Sequence, residues 1–181
     1  MSITPIPHGW WKAPLHKEEK IWIAIAIVWC LLITIAMPAA HIFGSQNSSQ
    51  EYYTIYEKDF WTLQEAFTAK YKVGVETTED GEEWDVVEPP PGEDIFLMGS
   101  QWRWDPILKL KVGEPYRLHL SSVDVLHGMS IHPINMNFEA VPGWDYVLTI
   151  TPTKAEVYHI ICNEFCGIDH SAMIGKIIVV E

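Results

Sequence analysis

The longest apolar run of the chain covers residues 21–43, which contain no Asp, Glu, Lys or Arg. About 20 apolar residues are enough for a helix to cross a bilayer, and this run is apolar on every side rather than amphipathic. The pattern therefore predicts one transmembrane helix at 21–43. A cleaved signal peptide is the alternative, because Met37-Pro-Ala-Ala40 places small residues near the end of the run.

Residues 1–20 precede this helix and carry basic charge. Lys12, Lys17 and Lys20 predict that the segment is cytoplasmic, because cytoplasmic flanks of membrane helices are enriched in Lys and Arg. Aromatic side chains of the kind found at membrane interfaces stand nearby: Trp10, Trp11 and Trp22. The rest of the chain is then expected on the outer side of the membrane.

Residues 44–92 are predicted to form an acidic linker with one amphipathic helix. The polar stretch at 44–50 offers Ser48 or Ser49 as a helix N-cap. Apolar side chains then recur every three or four residues, as on one helix face: Tyr52, Tyr56, Phe60, Leu63, Phe67 and Tyr71. We interpret this stripe as a surface that packs on the following domain or on a membrane partner. The acidic residues 76–88 predict a turn or hairpin.

Residues 93–181 show a different pattern, in which short apolar stretches are separated by turns. Along Tyr116 to Ser121, apolar and polar residues alternate with the period of a half-buried strand. Several short stretches of this kind predict a mainly β domain, built as a sandwich or a barrel. The stretches lie at 95–98, 107–112, 116–121, 123–131, 146–151, 157–162 and 174–180.

Acidic charge is concentrated in one part of the chain. The formal net charge is −12, and residues 51–94 alone contribute −10. This composition argues against nucleic-acid binding, because a phosphate backbone requires a basic surface. A basic protein partner fits better, since complementary charge speeds the encounter of two proteins.

The candidate chemistry lies in Cys162-Asn-Glu-Phe-Cys166-Gly-Ile-Asp-His170-Ser-Ala-Met173. Two thiols, an imidazole and a thioether form a ligand set for a soft transition metal, with copper favoured by the sulfur ligands. The alternative is a disulfide between Cys162 and Cys166. A disulfide leaves His170 and Met173 without a role, so the pattern favours a copper site.

A copper site of this type needs a second imidazole from a distant part of the chain. His127 is the strongest candidate, because it follows a predicted strand and precedes Gly128. His132 is the second candidate. His119 lies on the polar side of an alternating strand and His159 lies within a strand, so both are interpreted as structural histidines.

The second cysteine changes the expected number of metal ions. Two thiolates four residues apart can each bridge two coppers, with one imidazole on each copper. Met173 and the main-chain carbonyl of Glu164 would fill the remaining weak positions. Because the protein fills every position, whereas a catalytic metal site keeps one open, the predicted function is electron transfer.

The motif Cys-x-Glu-x-Cys-x-x-x-His-x-x-Met resembles that of subunit II of the haem-copper cytochrome c oxidases. Val-Asp-Val-Leu-His upstream, Gln-Trp-Arg-Trp before the domain and a single membrane span add to the resemblance, which covers about residues 88–181. It implies a cupredoxin-like Greek-key sandwich or barrel with a dinuclear copper centre, CuA. The implied copper ligands are His127, Cys162, the Glu164 carbonyl, Cys166, His170 and Met173.

The resemblance also implies a function and partners. Such a subunit takes electrons from cytochrome c, which enter through Trp102 or its neighbour Trp104, and passes them to haem in subunit I. Oxygen is reduced to water there, and protons are pumped. In many relatives the side chain that matches Glu164 also binds magnesium where it meets subunit I. The implied location is a prokaryotic cell membrane, crossed once, with the copper domain on the periplasmic face.

The chain departs from the commonest family pattern, which has two membrane helices. It therefore resembles the smaller one-helix, B-type branch of the family. A membrane-anchored copper carrier or assembly factor is the alternative function. Such a protein needs ligands that release metal readily, and a site of two thiols, two imidazoles and a thioether does not favour release.

Overall fold

The computed structural model describes residues 8–43, 51–78, 81–134 and 136–181. The predicted N-cap residues Ser48 and Ser49 lie outside these ranges. The chain divides into two compact units, Met1–Gln46 and Asn47–Glu181.

The first unit contains helix α1, Lys17–Phe43, and a single 3-10 turn at Trp10–Lys12. Helix α1 is long and apolar enough to cross a membrane, and none of its side chains is buried within the protein. A helix that exposes Ile, Leu and Trp on all sides is suited to lipid rather than to water. This agrees with the helix predicted at 21–43, although the helical backbone begins earlier, at Lys17.

The second unit is a β-sandwich with one helix on its outer surface. Within the described residues its elements are, in chain order, β1 (Glu51–Thr54), α2 (Glu57–Tyr71), β2 (Lys72–Thr77), β3 (Glu83–Val87), β4 (Asp94–Ser100), β5 (Arg103–Asp105), β6 (Ile107–Lys111), β7 (Tyr116–Ser122), β8 (His127–His132), β9 (Met136–Ala140), β10 (Trp144–Ile150), β11 (Val157–Cys162), a 3-10 turn (His170–Ala172) and β12 (Ile174–Val180).

The strands form two sheets of mixed direction. The first has the order β1-β10-β7-β4-β5, and the second has the order β2-β3-β6-β12-β11-β8-β9. Most neighbours are antiparallel, whereas β4 and β7 pair in parallel, as β6 does with both β3 and β12. Parallel neighbours require long crossover connections, so the chain passes repeatedly between the two sheets, as the predicted sandwich requires.

The predicted alternation along β7 correctly identifies the core-facing residues. Tyr116, Leu118 and Leu120 are at most 1% exposed and pack between the sheets. On the other face of β7, His119 and Ser121 are also buried, at 8% and 0% exposed, whereas the Arg117 side chain is 42% exposed. The ring of Phe96 in the neighbouring strand β4 stacks on that of His119 at 4.7 Å, and helix α2 packs on Phe96 from outside.

Helix α2 is the amphipathic helix expected from the aromatic stripe, and it packs on the domain. The rings of Phe60 and Phe67 lie 5.9 and 5.7 Å from that of Phe96. The helix begins at Glu57, later than the stripe indicated. Tyr52 instead pairs with Tyr146 in the first sheet, because tyrosine suits strands as well as helices and the backbone of this stretch hydrogen-bonds to β10.

The acidic stretch after α2 forms the antiparallel hairpin β2–β3. Strand β3 joins the second sheet by pairing with β6. Helix α2 and the hairpin therefore belong to the same compact unit as the sandwich. A division at residues 92 and 93 stays a prediction from composition.

Candidate metal centre

Two buried thiols form the middle of the candidate site. Cys162 ends strand β11, and Cys166 follows in the loop that leads to the short 3-10 turn. Their Sγ atoms are 3.8 Å apart and each residue is 4% exposed. Both are free thiols, and their separation is nearly twice the S–S length of about 2.05 Å in a disulfide. The structure therefore presents two separate sulfur ligands.

His127 approaches the first sulfur from strand β8. Its Nδ1 lies 3.9 Å from Cys162 Sγ, and the residue is fully buried. Its Nε2 donates a hydrogen bond of 2.8 Å to Asp124 Oδ1, which leaves Nδ1 as the free ligand atom. The ligand atoms of His127, Cys162 and Cys166 all lie within 4.8 Å of one another.

His170 and Met173 approach the second sulfur from the loop between β11 and β12. His170 Nδ1 is 3.5 Å from Cys166 Sγ, and Met173 Sδ is 3.8 Å from the same atom. Met173 is fully buried. The short 3-10 turn His170–Ala172 brings the imidazole and the thioether to one sulfur.

The main-chain carbonyl of Glu164 lies on the side of Cys162. It accepts a hydrogen bond of 3.3 Å from the Cys162 thiol. Each sulfur therefore has two further potential metal ligands beside it, one imidazole and one weaker ligand atom, which is the Glu164 carbonyl oxygen or the Met173 sulfur. Copper is the metal that best fits this set of two thiols, two imidazoles, a thioether and a carbonyl.

Burial and hydrogen bonding shift two pKa values at the site. Burial, and then the neighbouring Cys162 thiol, raise the pKa of Cys166 to about 11. The pKa of the Asp124 carboxyl is lowered below its usual value. Burial alone would raise this pKa, but hydrogen bonds from His127 and from the main-chain N–H groups of Val125 and Gln101 outweigh the effect of burial. Asp124 is thus an anion at neutral pH, beside an imidazole that donates to it.

The two candidate tryptophans have different surroundings. Trp104 is 1% exposed, and its ring meets that of His127 edge-on at 6.0 Å. Gly175 makes room for it, because a Cβ there would lie 2.6 Å from Trp104 Cβ. Trp102 is partly exposed and lies beside Gly167 in the loop between β11 and β12, residues 163–173, which is called the metal loop below. Trp102 is therefore the one of the two that a protein partner can touch.

The second candidate, His132, and the two histidines interpreted as structural, His119 and His159, lie elsewhere in the domain. His119 Nδ1 forms a hydrogen bond of 2.7 Å with Asp145 Oδ2. His132 is exposed at the far end of β8, where its Nε2 lies 3.1 Å from Ser130 Oγ. His159 is exposed and pairs with His132 across the strands.

Sequence reasoning did not identify two residues that support the site, Asp124 and Gln101. Asp124 had a local signal, because it stands three positions before His127. Gln101 belongs to the Gln-Trp-Arg-Trp motif, but its role had no local signal, since its side-chain amide donates to the carbonyl of Cys166, 65 residues away in the chain.

A two-sheet sandwich with a buried cluster of thiols and imidazoles defines a cupredoxin-like domain with a copper-type site. Comparison with known proteins identifies the family. The family model for cytochrome c oxidase subunit II, periplasmic domain, matches residues 100–181. Cytochrome c oxidase subunit 2 of Thermus thermophilus is 30% identical over 98 residues, which are 53% of this chain and 73% of that protein.

Two further matches agree with these. A probable cytochrome c oxidase subunit 2 of Streptomyces coelicolor is 36% identical over 76 residues, which are 42% of this chain and 24% of that protein. A chain in the cryo-EM structure of a heme-copper terminal oxidase dimer superposes with a TM-score of 0.56 and 26% identity, covering 91% of this chain and 100% of that chain. The chain belongs to the cytochrome c oxidase subunit II family.

Proposed function

We propose that this chain is the subunit through which electrons enter a terminal oxidase, and that it holds two copper ions as a CuA centre. The observation that carries the proposal is the pair of buried sulfurs 3.8 Å apart, each with its own imidazole. The proposed ligands are His127, Cys162, the Glu164 carbonyl, Cys166, His170 and Met173.

The arrangement of donors supports two metal ions rather than one. His127 and the Glu164 carbonyl lie beside Cys162, whereas His170 and Met173 lie beside Cys166. Bound copper would supply a carrier that gains and loses one electron. His127 and Cys162 lie on the paired strands β8 and β11, and β12 begins directly after Met173, so the loop with the other proposed ligands is bounded by a paired strand at each end.

The proposed electron donor is cytochrome c, and the proposed acceptor is haem in subunit I, where oxygen is reduced to water and protons are pumped. Trp102 supports this route, because it is partly exposed and lies against the loop that carries Cys166. This chain would then take no part in the oxygen chemistry. The acidic hairpin β2–β3 offers a surface for a basic donor.

The proposed location is a prokaryotic cell membrane with the copper domain on the periplasmic face. Helix α1 supports a single span, and Lys12, Lys17 and Lys20 support a cytoplasmic amino-terminal segment. Magnesium binding through the side chain of Glu164, where it would meet subunit I, remains a prediction from family resemblance.

Spin resonance and absorption spectra of the copper-loaded full chain test the proposal. We expect two coppers per chain and a multiline signal from one electron shared by two nuclei. Cys162→Ser should abolish that signal while the fold survives, and His127→Ala should disrupt it. His132→Ala is the matched control and should leave the spectrum unchanged.

Two results would contradict the proposal. A single, readily exchanged copper would indicate a carrier or assembly factor instead. Retention of the two-copper spectrum in His127→Ala would show that His127 is not the second imidazole.

A further inference from the structure

The segment between β4 and β5 carries Trp102 and is held in place on both sides. Gln101 precedes the tryptophan and contacts the metal loop, whereas Arg103 follows it and contacts the hairpin β2–β3. Short connections of this kind are usually the mobile parts of a domain. Here the side chains of both neighbours of Trp102 are held by contacts with other parts of the domain.

Gln101 joins the two loops that bring the candidate ligands together. Its side-chain Nε2 donates a hydrogen bond of 2.6 Å to the carbonyl of Cys166. Its main-chain N–H donates a hydrogen bond of 2.7 Å to Asp124 Oδ2, and the other oxygen of that carboxylate accepts from His127. Gln101 therefore contacts both Asp124, which holds His127, and the backbone of Cys166.

Gly167 allows Gln101 and Trp102 to approach the metal loop closely. A Cβ at this position would lie 3.0 Å from Gln101 Nε2 and 3.2 Å from Trp102 Nε1. Gly167 also has φ of +129°, a backbone conformation that other residues rarely adopt. The indole of Trp102 thus lies over bare backbone directly after Cys166.

Arg103 fixes the other end of the segment. Its guanidinium lies 5.2 Å from the centre of the Trp84 ring in strand β3, and it forms an ion pair with Asp105. Trp84 is 7% exposed, so its ring is a fixed surface for the guanidinium. A change of the Gln101 side chain therefore removes the contact with the metal loop, while the contacts of Arg103 stay in place.

We infer that Gln101 is a positioning residue that holds the indole of Trp102 against the metal loop and so couples it to Cys166. This inference rests on the proposed function, in which electrons enter through Trp102. Gln101 acts through its neighbours and is not assigned a contact with the donor. The amide of its side chain is the essential group, because the main-chain bond to Asp124 does not depend on residue type.

The first test uses the metal-free full chain. Gln101→Met keeps the length of the side chain but removes the hydrogen-bond donor. We expect hydrogen exchange in the peptides that cover residues 100–104 and 165–168 to become roughly 10-fold faster, because a bond between the segments is lost. Asn137→Ala is the matched control, since it removes a 3.1 Å side-chain bond to Asn163 in the same loop. It should leave the exchange of residues 100–104 unchanged.

The second test uses the copper-loaded chain and a soluble cytochrome c donor. In Gln101→Met the limiting rate of electron uptake should fall roughly 10-fold, because a small displacement of a reacting group is costly. The donor concentration at half-saturation and the copper spectrum should stay unchanged. A residue that only stabilised the fold would not give this combination.

The outcomes separate this inference from the proposed function. If Trp102→Leu leaves electron uptake unchanged, the proposed route through Trp102 is wrong, and hydrogen exchange alone then decides whether Gln101 holds the segment. If Trp102→Leu slows uptake but Gln101→Met matches Asn137→Ala in both tests, the inference about Gln101 is overturned.

Discussion

Asp124 accepts a hydrogen bond of 2.8 Å from His127 Nε2, while His127 Nδ1 lies 3.9 Å from Cys162 Sγ. The imidazole is therefore held by a carboxylate on one side and presents its other nitrogen to the sulfur. Carboxylates in this position fix the tautomer and the orientation of a ligating histidine and raise its basicity. The Asp124 side chain is partly exposed, and hydrogen bonds from His127, Val125 and Gln101 hold its pKa below the usual value, so the carboxyl is ionised at neutral pH.

Asp124→Asn should weaken copper binding roughly 10- to 100-fold, the usual effect of losing such a carboxylate. The neutral amide keeps the shape of the side chain but not the charge that favours donation from His127. Competition with a copper chelator measures the change. Asp169→Asn, an exposed carboxylate in the metal loop, is the control. Equal affinities for the two variants would show that the hydrogen bond to His127 has no such role.

Copper binding by the metal-free chain should depend on pH. Because the pKa of Cys166 is raised to about 11, this thiol carries a proton at neutral pH that the metal must displace. The apparent affinity for Cu(I) should therefore rise about tenfold per pH unit, for each proton released, between pH 6 and pH 8. A chelator-buffered titration checks this, and an affinity that stays flat over the range would contradict it.

Gly175→Ala should destabilise the domain by about 1–3 kcal/mol, the usual cost of overfilling a packed core. The added methyl would lie 2.6 Å from Trp104 Cβ, and Trp104 has no space to move. Denaturant titration of the metal-free full chain in detergent measures the loss. Gly74→Ala is the control, because no atom lies within 4 Å of its Cβ position. Similar losses in the two variants would exclude the contact as the cause.

His119→Phe should destabilise the domain by about 2–3 kcal/mol through loss of a buried hydrogen bond. The new ring can still stack on Phe96, but the 5% exposed carboxylate of Asp145 loses its 2.7 Å partner. Asp145→Asn keeps an acceptor for His119 and should cost less. The same denaturant titration compares the two variants. A loss of stability in Asp145→Asn that equals or exceeds the loss in His119→Phe would contradict the prediction.

Neutralising Glu82, Glu83 and Asp85 together should slow association with a basic cytochrome at low salt. The difference from the unchanged chain should vanish near 1 M salt, where the Debye length is about 3 Å. Stopped-flow mixing at several salt concentrations measures both. The control neutralises three exposed carboxylates outside the hairpin: Glu114, Glu139 and Glu181. Equal rates for the two variants would show that the hairpin does not steer the donor.

Local patterns in the sequence predicted much of this fold, and the differences have physical causes. The alternation along β7 placed Leu118 and Leu120 in the core, because strand period alone decides which side chains share a face. It could not show that His119 is buried, since the cover comes from Phe96 of β4, on which α2 packs. The start of α2 was also misplaced, because pairing with β10 decides the conformation of Tyr52.

At the candidate site, too, local sequence patterns predicted some residues, whereas others depend on contacts between distant parts of the chain. Cys162, Cys166, His170 and Met173 lie within twelve positions, so their spacing was enough to suggest a shared metal. His127 was reached by elimination among histidines, and the structure brings it to Cys162. The role of Gln101 was not evident from its motif, because it depends on a contact between segments that are far apart in the chain.

Strand β12 lies in the interior of the second sheet, between β6 and β11. The loop with the two cysteines is therefore bounded by a strand that the ribosome releases after every other element described here. The pairing of β12 with β6 joins residues far apart in the chain, such as Ile177 and Leu108. Contacts of long sequence separation form late and slowly. Pairing of β12 with β11 closes the loop from Cys162 to Met173, whose main chains are joined by a hydrogen bond of 3.1 Å. Metal capture by the complete ligand set should therefore follow synthesis of the domain rather than guide it.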